Sequence, residues 1–374
     1  MSNIYTVQHN KEGMPDLVSG SKPLSYFEFW PGWLFYFPMK IYAAFLALRY
    51  GGLTLPTITN PHFDVGGFVG ESKSQILDQV PAEISDAFCT HVTIQKIGNS
   101  NEQIQQALVQ AQKLITKEGI DYPFVAKPNI GARGAGVQII YKTSDLETYI
   151  EEFPEGETII LQELADYPFE AGLFYIRKPG EEHGHITSLT LKFFPYVTGD
   201  GKSTLRELIE NDDRAGKIAH IYLQRHQDNL DMVLADQEQY RIAFAGSHSR
   251  GTIFKNGQDI ITEEMDKKWD SFCKHIPEFY FGRFDIRFNK IEDLQNCTNI
   301  KIIEINGAGA EATHIWDSNT KLRTAYKTLM QQYKSMFEIG AINKKRGFSP
   351  IPLKELIRLI RHNDQVTKEY PHTH

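Results

Sequence analysis

A chain of 374 residues is longer than one average domain and calls for two or three lobes. Its 41% hydrophobic content supplies ample core, and its formal net charge of −7 argues against nucleic acid as a partner. Cys89, Cys273 and Cys297 have neither pairable nor metal-type spacing, which argues against disulfides and zinc and fits a reducing, cytoplasmic setting.

The first residues, MSNIYTVQHNKEG, are polar and do not read as a signal peptide. Residues 27–38 are rich in aromatics, and MKIYAAFLALRY (Met39–Tyr50) has the composition of a helix. Pro38, Lys40 and Arg49 interrupt this apolar run, which falls short of the roughly 20 residues that span a bilayer. Two readings stand for residues 24–50: a helix buried against the rest of the protein, which is the expected one, or a peripheral membrane or protein contact.

Thr57–Gly70 is rich in turn signals, and Glu71-Ser72-Lys73 opens a helix that Pro81 ends. Residues 101–118 form an amphipathic helix stopped by Gly119. Tyr122–Pro128 is a short strand presenting Lys127; a loop with Gly131, Gly134 and Gly136 follows, and Val137–Tyr141 returns as a strand. Glycines let backbone amides approach an anion, and a neighbouring lysine adds the charge that phosphate oxygens need. By itself the segment is equally a glycine-rich turn with a surface lysine. Strands flank it on both sides, whereas a P-loop opens a helix.

Ser144–Phe153 is a short helix, and the strand Glu157–Glu163 ends on polar Gln162 and Glu163, followed by Leu164, Ala165 and, soon after, Glu170. A strand end with unpaired backbone groups can read an adenine edge, and a carboxylate near it can hold ribose hydroxyls. His185–Phe194 is another strand. Gly201-Lys202-Ser203 looks like the end of a Walker A loop, but Tyr196 stands where the first glycine is required. Instead, Thr204-Leu205-Arg206-Glu207 is a capping box that starts a helix. Further on come a strand over Gln239–Ala245, a basic turn with Arg250, an Asn256-Gly257 hairpin and a helix over Thr262–Ile276.

Two alternating runs follow, Gly282–Phe288 and Ile300–Asn306, separated by a polar gap that resembles a hairpin. Arg283, Asp285 and Arg287 share one face of the first; Glu304 and Asn306 share a face with Ile302 in the second. Paired, the strands bring hard oxygen donors together in a way that suits Mg²⁺ and phosphates, or else they form a solvated face of ion pairs. The small residues of Gly307–His314, with Glu311 among them, let a substrate approach the backbone. Helices over Thr320–Phe337 and Leu353–Arg361 complete the chain, the last with a solvated basic face.

This order of features resembles the ATP-grasp fold of ATP-dependent carboxylate–amine ligases over roughly Lys73 to Phe337. The resemblance implies an α+β fold with two α+β lobes gripping ATP: a divergent N-terminal region (1–116), a small lobe (117–184), a large lobe with the metal site (185–340) and a helical tail (341–374). It implies that Lys73 and Lys127 bind phosphates under the loop Gly131–Gly136, that Gln162, Glu163, Leu164 and Ala165 read adenine, and that Glu170 holds the ribose. Asp285, Glu304 and Asn306 would carry Mg²⁺, two ions in all, and Arg283 would steady an acyl phosphate. Arg250, Arg287, Gly307, Glu311 and His314 are the candidates for contacts with a carboxylate and an amine substrate, amino acids or a peptide. Residues 197–209, with Asn211 and Arg214, are similar to the ATP-grasp modules of cyanophycin synthetase and bifunctional glutathione synthetase. Gly307–Glu311 replaces the Ser-Pro-Gly loop of D-alanine–D-alanine ligases. A phosphotransferase, a non-catalytic ATP-binding regulator and a homodimer stay open.

Overall fold

Prolines divide the aromatic N-terminal run into two helices, α1 (Gly32–Phe35) and α2 (Phe37–Tyr50), with Pro38 in the first turn of α2, where its missing N–H costs nothing. The computed structural model describes residues 14, 24–131, 134–243, 246 and 251–371. Phe35, Met39 and Leu46 are buried, but Leu34, Phe37, Ile41, Phe45 and Leu48 are exposed along one stripe, Leu48 at 86%. The burial expected for this segment therefore holds for one face only. Apart from Lys40 and Arg49 the helix is apolar on every side, and a helix packed against one neighbour covers one stripe.

The smaller lobe comprises α3 (Lys73–Leu77), β1 (His91–Gln95), α4 (Asn101–Lys117), β2 (Phe124–Pro128), β3 (Gln138–Ile140), α5 (Thr143–Glu152) and β4 (Thr158–Glu163). Its antiparallel sheet runs β1-β4-β2-β3. Ser100 and Gln103 cap α4 reciprocally, and its Leu108 and Ala111 join Leu146 and Tyr149 of α5 over Phe124 and Leu161 of the sheet. Burying each such large side chain contributes about 1.5–3 kcal/mol. β1 lies N-terminal to residue 117 yet pairs along its whole length with β4.

The larger lobe contains β5 (Phe169–Ile176), β6 (His185–Phe193), β7 (Tyr196–Thr198), α6 (Leu205–Asn211), α7 (Ala219–Arg225), β8 (Gln239–Arg241), β9 (Ile253–Asn256), α8 (Glu263–Cys273), β10 (Phe281–Phe288), α9 (Ile291–Asn296) and β11 (Ile300–Asn306). The main sheet has the order β11-β10-β5-β6-β9. One face buries Leu173, Leu189, Phe284, Ile286 and Phe288 with Trp269 of α8; the other faces the cleft described below. This is the α+β class with two sheet-bearing lobes that the sequence led us to expect. Two expectations for the connections fail. The polar gap between β10 and β11 folds as α9, and Asn256-Gly257 closes no hairpin: a 3₁₀ turn over Gln258–Ile260 follows, and β9 pairs with β6. Phe254 of β9 is 3% exposed in that pairing, so burial on the main sheet outweighs the local turn signal.

The chain ends in α10 (Leu322–Lys345) and α11 (Leu353–Glu369), both longer than their sequence patterns suggested. α10 packs on α2 and on residues 55–58. α11 runs back to the smaller lobe, where Tyr370 stacks on Phe153 at 5.2 Å between ring centres.

β10 and β11 pair antiparallel with Asp285 opposite Glu304 and Arg283 opposite Asn306, but a bulge after Asp285 sets Ile286 opposite Ile302. Ile303 is the extra residue. Ile302 therefore joins the core instead of sharing a face with Glu304, while Ile303, Glu304 and Asn306 all line the cleft. A bulge re-aims side chains in this way by inserting one residue into the two-residue period.

Candidate active site

A cleft of about 970 Å³ is lined by both sheets and by the N-terminal aromatic segment. Its floor is the open face of the main sheet, where register places Glu170 of β5 between Arg287 of β10 and Lys192 of β6. Lys192 Nζ donates to Glu170 Oε1 at 2.7 Å and to Asp285 Oδ1 at 2.8 Å. Burial alone would push the Lys192 ammonium down, but Asp285 and Glu170 outweigh it and hold it above its ordinary value. Burial likewise pushes the Asp285 carboxyl up, and Arg283 and Lys192 together bring it well below the usual range. Arg283 donates to both Asp285 oxygens, Nε and Nη2 each at 3.0 Å. Asn306 Nδ2 approaches Oδ2 at 3.3 Å. Gly172 leaves room in this row, since a Cβ there would stand 3.2 Å from Arg283 Cδ.

The second charged group comes from the opposite wall. Ser72 caps α3, so Lys73 occupies its first turn and projects into the cleft. Lys73 Nζ donates to Gly131 O at 2.6 Å and lies 3.7 Å from Glu304 Oε1. Lys127 Nζ donates to Ile303 O at 3.0 Å, a carbonyl that the bulge turns toward it and that also accepts from Gln162 Nε2 at 3.3 Å. Burial pushes the Lys127 ammonium down, with Glu304 opposing. Glu71, beside Lys73 on the cleft wall, has its carboxyl raised by burial.

Gly134 and Gly136 have φ near 70°, a conformation open to glycine at little cost. A Cβ on Gly136 would lie 2.8 Å from Pro128 Cγ and 3.0 Å from Tyr370 Cβ. Tyr370 and Tyr149 hydroxyls donate to Ile130 O and Gly136 O at 2.6 and 2.7 Å, so the loop is strapped from both sides.

The structure thus brings Lys73, Lys127, Gly131, Gly134, Gln162, Glu163, Leu164, Ala165, Glu170, Arg283, Asp285, Arg287, Glu304, Asn306 and Glu311 to one cleft. Glu163 is tied to Thr90 N at 3.0 Å and Lys301 Nζ at 3.2 Å. Arg287 Nε stands 3.1 Å from Glu170 Oε2, close enough to pair charges, but that oxygen accepts no hydrogen bond among the described residues. Gly136 is not among the cleft-lining residues. His314 is not brought to the cleft: it is 2% exposed behind the sheet face, with Nδ1 2.6 Å from Ser188 Oγ. Burial lowers its imidazole to about 4. Gly307 also lies behind the wall, packed on Gly66 and Gly67; Ala308 N and Gly309 N donate to Gly66 O and Gly67 O at 3.1 and 2.6 Å. Gly307 serves this backbone contact alone, whereas Ala308 and Gly309 make it and also line the cleft beside Ala310. Arg250 lies outside the described residues.

Sequence reading did not single out Lys192, Glu71 or the clamp around Glu311. Lys192 left one signal, the one lysine of its strand, set between Leu191 and Phe193. Glu311 Oε2 accepts from Tyr36 Oη at 2.6 Å and Oε1 from Trp316 Nε1 at 2.7 Å, partners that no local pattern links.

The donor set of Asp285, Glu304 and Asn306 fits a hard divalent cation: two carboxylates face each other across a strand pair, with an amide two residues on. Asp285 already has Arg283 and Lys192 against it, whereas Glu304 has Lys73 at the longer 3.7 Å and the more open oxygens. Among the described residues no group of three or more His, Cys, Asp or Glu side chains converges, so the third donor would be the Asn306 amide.

No family model matches the chain, and no curated relative matches it. Among solved structures it is similar to a bifunctional glutathione synthetase from Pasteurella multocida (15% identity, TM-score 0.34, 70% of this chain and 36% of that one). It is also similar to VanG D-Ala:D-Ser ligase from Enterococcus faecalis (13%, 0.40, 74% and 64%). A D-alanine–D-alanine ligase from Bacillus anthracis gives comparable values (11%, 0.38, 74% and 68%). The chain spans about a third of the first protein's length and just under two thirds of the second's. At such values the chemistry of the cleft has to be read from its own residues.

Proposed function

We propose that this chain is an ATP-dependent carboxylate–amine ligase of the ATP-grasp type. The observation that supports the reading is the meeting, in one cleft, of two lysines beside a strapped glycine loop with the buried Glu170–Lys192–Asp285–Arg283 row. Lys73, Lys127 and the loop amides suit the phosphates of ATP. Glu170 Oε2, which lies beside Arg287 but accepts no hydrogen bond among the described residues, suits a ribose hydroxyl, and Gln162–Ala165 suit the adenine edge. Magnesium at Asp285, Glu304 and Asn306 would supply charge neutralisation for the phosphates.

In this reading a substrate carboxylate oxygen attacks the γ-phosphorus of ATP. The bond from that phosphorus to the bridging oxygen breaks, and ADP leaves. The amine nitrogen then adds to the acyl carbon, the carbon–oxygen bond to phosphate breaks, and the nitrogen loses a proton. Acid, amine and ATP give amide, ADP and phosphate. Arg283, held by Asp285, would stabilise negative charge on the acyl phosphate and on the tetrahedral adduct. Phosphoryl transfer needs mainly such positioning and charge.

The test is phosphate release over paired acids and amines, with each component left out in turn. Release that needs ATP, acid and amine together is expected, with an amide detected by mass spectrometry. ADP formed with an acid alone, with a phosphorylated acid and no matching phosphate release, would assign a phosphotransferase instead. Asp285→Asn and Glu304→Gln should each abolish turnover while leaving the melting curve cooperative; native-like turnover in both would overturn the reading.

A further inference from the structure

The part of the cleft beyond Arg283 is built differently from the rest. Phe29, Trp30, Tyr36, Phe68, Trp316 and Tyr333 line it, and three of these six come from the segment before α2. Its polar groups are few and fixed. The phenol of Tyr36 and the indole of Trp316 orient the Glu311 carboxylate, and Arg283 Nη1 donates to the Glu311 carbonyl at 3.2 Å. The Glu311 charge also helps raise the Tyr333 phenol, after burial. Gln332 is 5% exposed; its Oε1 accepts from Ala312 N at 3.1 Å, while its Nε2 has no partner. A buried donor left unpaired is costly unless a ligand completes it.

Phe29 and Gly32 both line the cleft and are exposed to solvent. From there the exposed stripe of Trp33, Leu34, Phe37, Ile41, Phe45 and Leu48 continues outward. Residues 29–63 contain no Asp or Glu, in a chain with 47 of them, and Lys40 and Arg49 are exposed on α2. An apolar stripe of this kind with cationic flanks is complementary to an anionic lipid surface.

We propose that, within the ligase reading on which this rests, the amine substrate is a membrane-borne amphiphile: its ammonium meets Glu311, an oxygen acceptor of its head group meets Gln332 Nε2, and its apolar chain leaves past Trp30 and Phe29 toward the bilayer on which α2 rests. The amine then lies on the far side of Arg283 from the nucleotide-suited residues, the side from which it would reach an acyl carbon.

N-alkylglycinamides with chains of two to ten carbons are the probe, because each carries an ammonium, a carbonyl acceptor and a tail. Calorimetric titration without ATP should show affinity rising about fourfold per methylene until the aromatic walls are filled. Glu311→Gln should weaken binding about tenfold or more at every chain length, and Gln332→Leu should weaken it less. A flat chain-length series on the native protein, or equal binding by Glu311→Gln, would overturn the proposal. The native series decides by itself should a variant fail to fold. In flotation, the protein should rise with phosphatidylcholine–phosphatidylglycerol vesicles and less with phosphatidylcholine alone, and Leu48→Glu should abolish it. Absence of flotation, or a soluble dimer that Leu48→Glu splits, would refute the lipid surface. Since these measurements use no ATP, probe binding without phosphate release for any acid refutes the ligase and leaves the amine subsite standing.

Discussion

The Lys192 side chain is 3% exposed, yet it keeps its charge because Glu170 and Asp285 each put an oxygen within 2.8 Å of Nζ. Removing one member of a buried charge group strands the others, so Lys192→Met should cost about 3–5 kcal/mol, read by urea denaturation at pH 7. A loss below about 1 kcal/mol would mean that Arg283 and Arg287 suffice for both carboxylates. His314 is the complementary case, a buried group that stays neutral. Its folded-state value of about 4 lies below the ordinary 6.5, so the unfolded chain takes up the proton first. Its contribution is therefore complete above about pH 6.5 and is lost as pH falls toward 4, by up to about 3 kcal/mol. Denaturation midpoints at pH 7 and pH 5 should differ in the native protein, and the difference should shrink in His314→Gln.

Among the elements, the bulged β11 does the most to assemble the cleft. Without the extra residue at Ile303, strict alternation would bury either Ile302 or Glu304 on the wrong side. The bulge lets Ile302 fill the core while the Ile303 carbonyl meets Lys127 and the Glu304 carboxylate faces Lys73. The strand's extension is held just as tightly: a Cβ at Gly307 would lie 2.7 Å from both Gly66 O and Gly67 Cα. Backbone cannot swing aside as a flexible side chain can. Gly307→Ala should destabilise by about 1–3 kcal/mol, visible as a lower thermal midpoint. Because residues 66–67 lead into α3, it should also weaken nucleotide binding. α2 behaves in the opposite way on its outer side, where Leu48 touches little and Leu48→Glu should leave the thermal midpoint unchanged.

At the scale of the whole molecule, distant ends of the chain close the cleft. The N-terminal segment supplies Tyr36 to Glu311, 275 residues away, and the C-terminal α11 supplies Tyr370 to the glycine loop, 240 residues from Ile130. Tyr370 both stacks on Phe153 and hydrogen-bonds Ile130 O, which couples the loop to the last turn of the chain. Tyr370→Ala should raise the KM for ATP about tenfold, as the stack and the hydrogen bond together are worth about 1.4 kcal/mol. The KM for the acid substrate should change little; an equal rise in both would mean a general loss of packing.

Much of this was legible in the sequence because it is encoded locally. The capping box at Thr204 marked a helix start, and two-residue alternation put Arg283, Asp285 and Arg287 on one face. The glycines near Lys127 marked a loop, and the strand-end residues Gln162 and Glu163 marked a cleft edge, since turn and strand chemistry depend on neighbours a few positions apart. Which of these segments meet was beyond local pattern. Lys192 became part of the floor through its register with Glu170, His314 was withdrawn into the core against Ser188, and Gly307 went to a backbone contact while Ala308 and Gly309 stayed on the cleft wall. The aromatic segment acquired an inner and an outer face only when α10 packed on one side of it. Periodicity, caps and glycines specify where an element begins and which way its side chains point. The partner that each face receives is set by burial summed over the whole chain, and that sum exists only in the folded molecule.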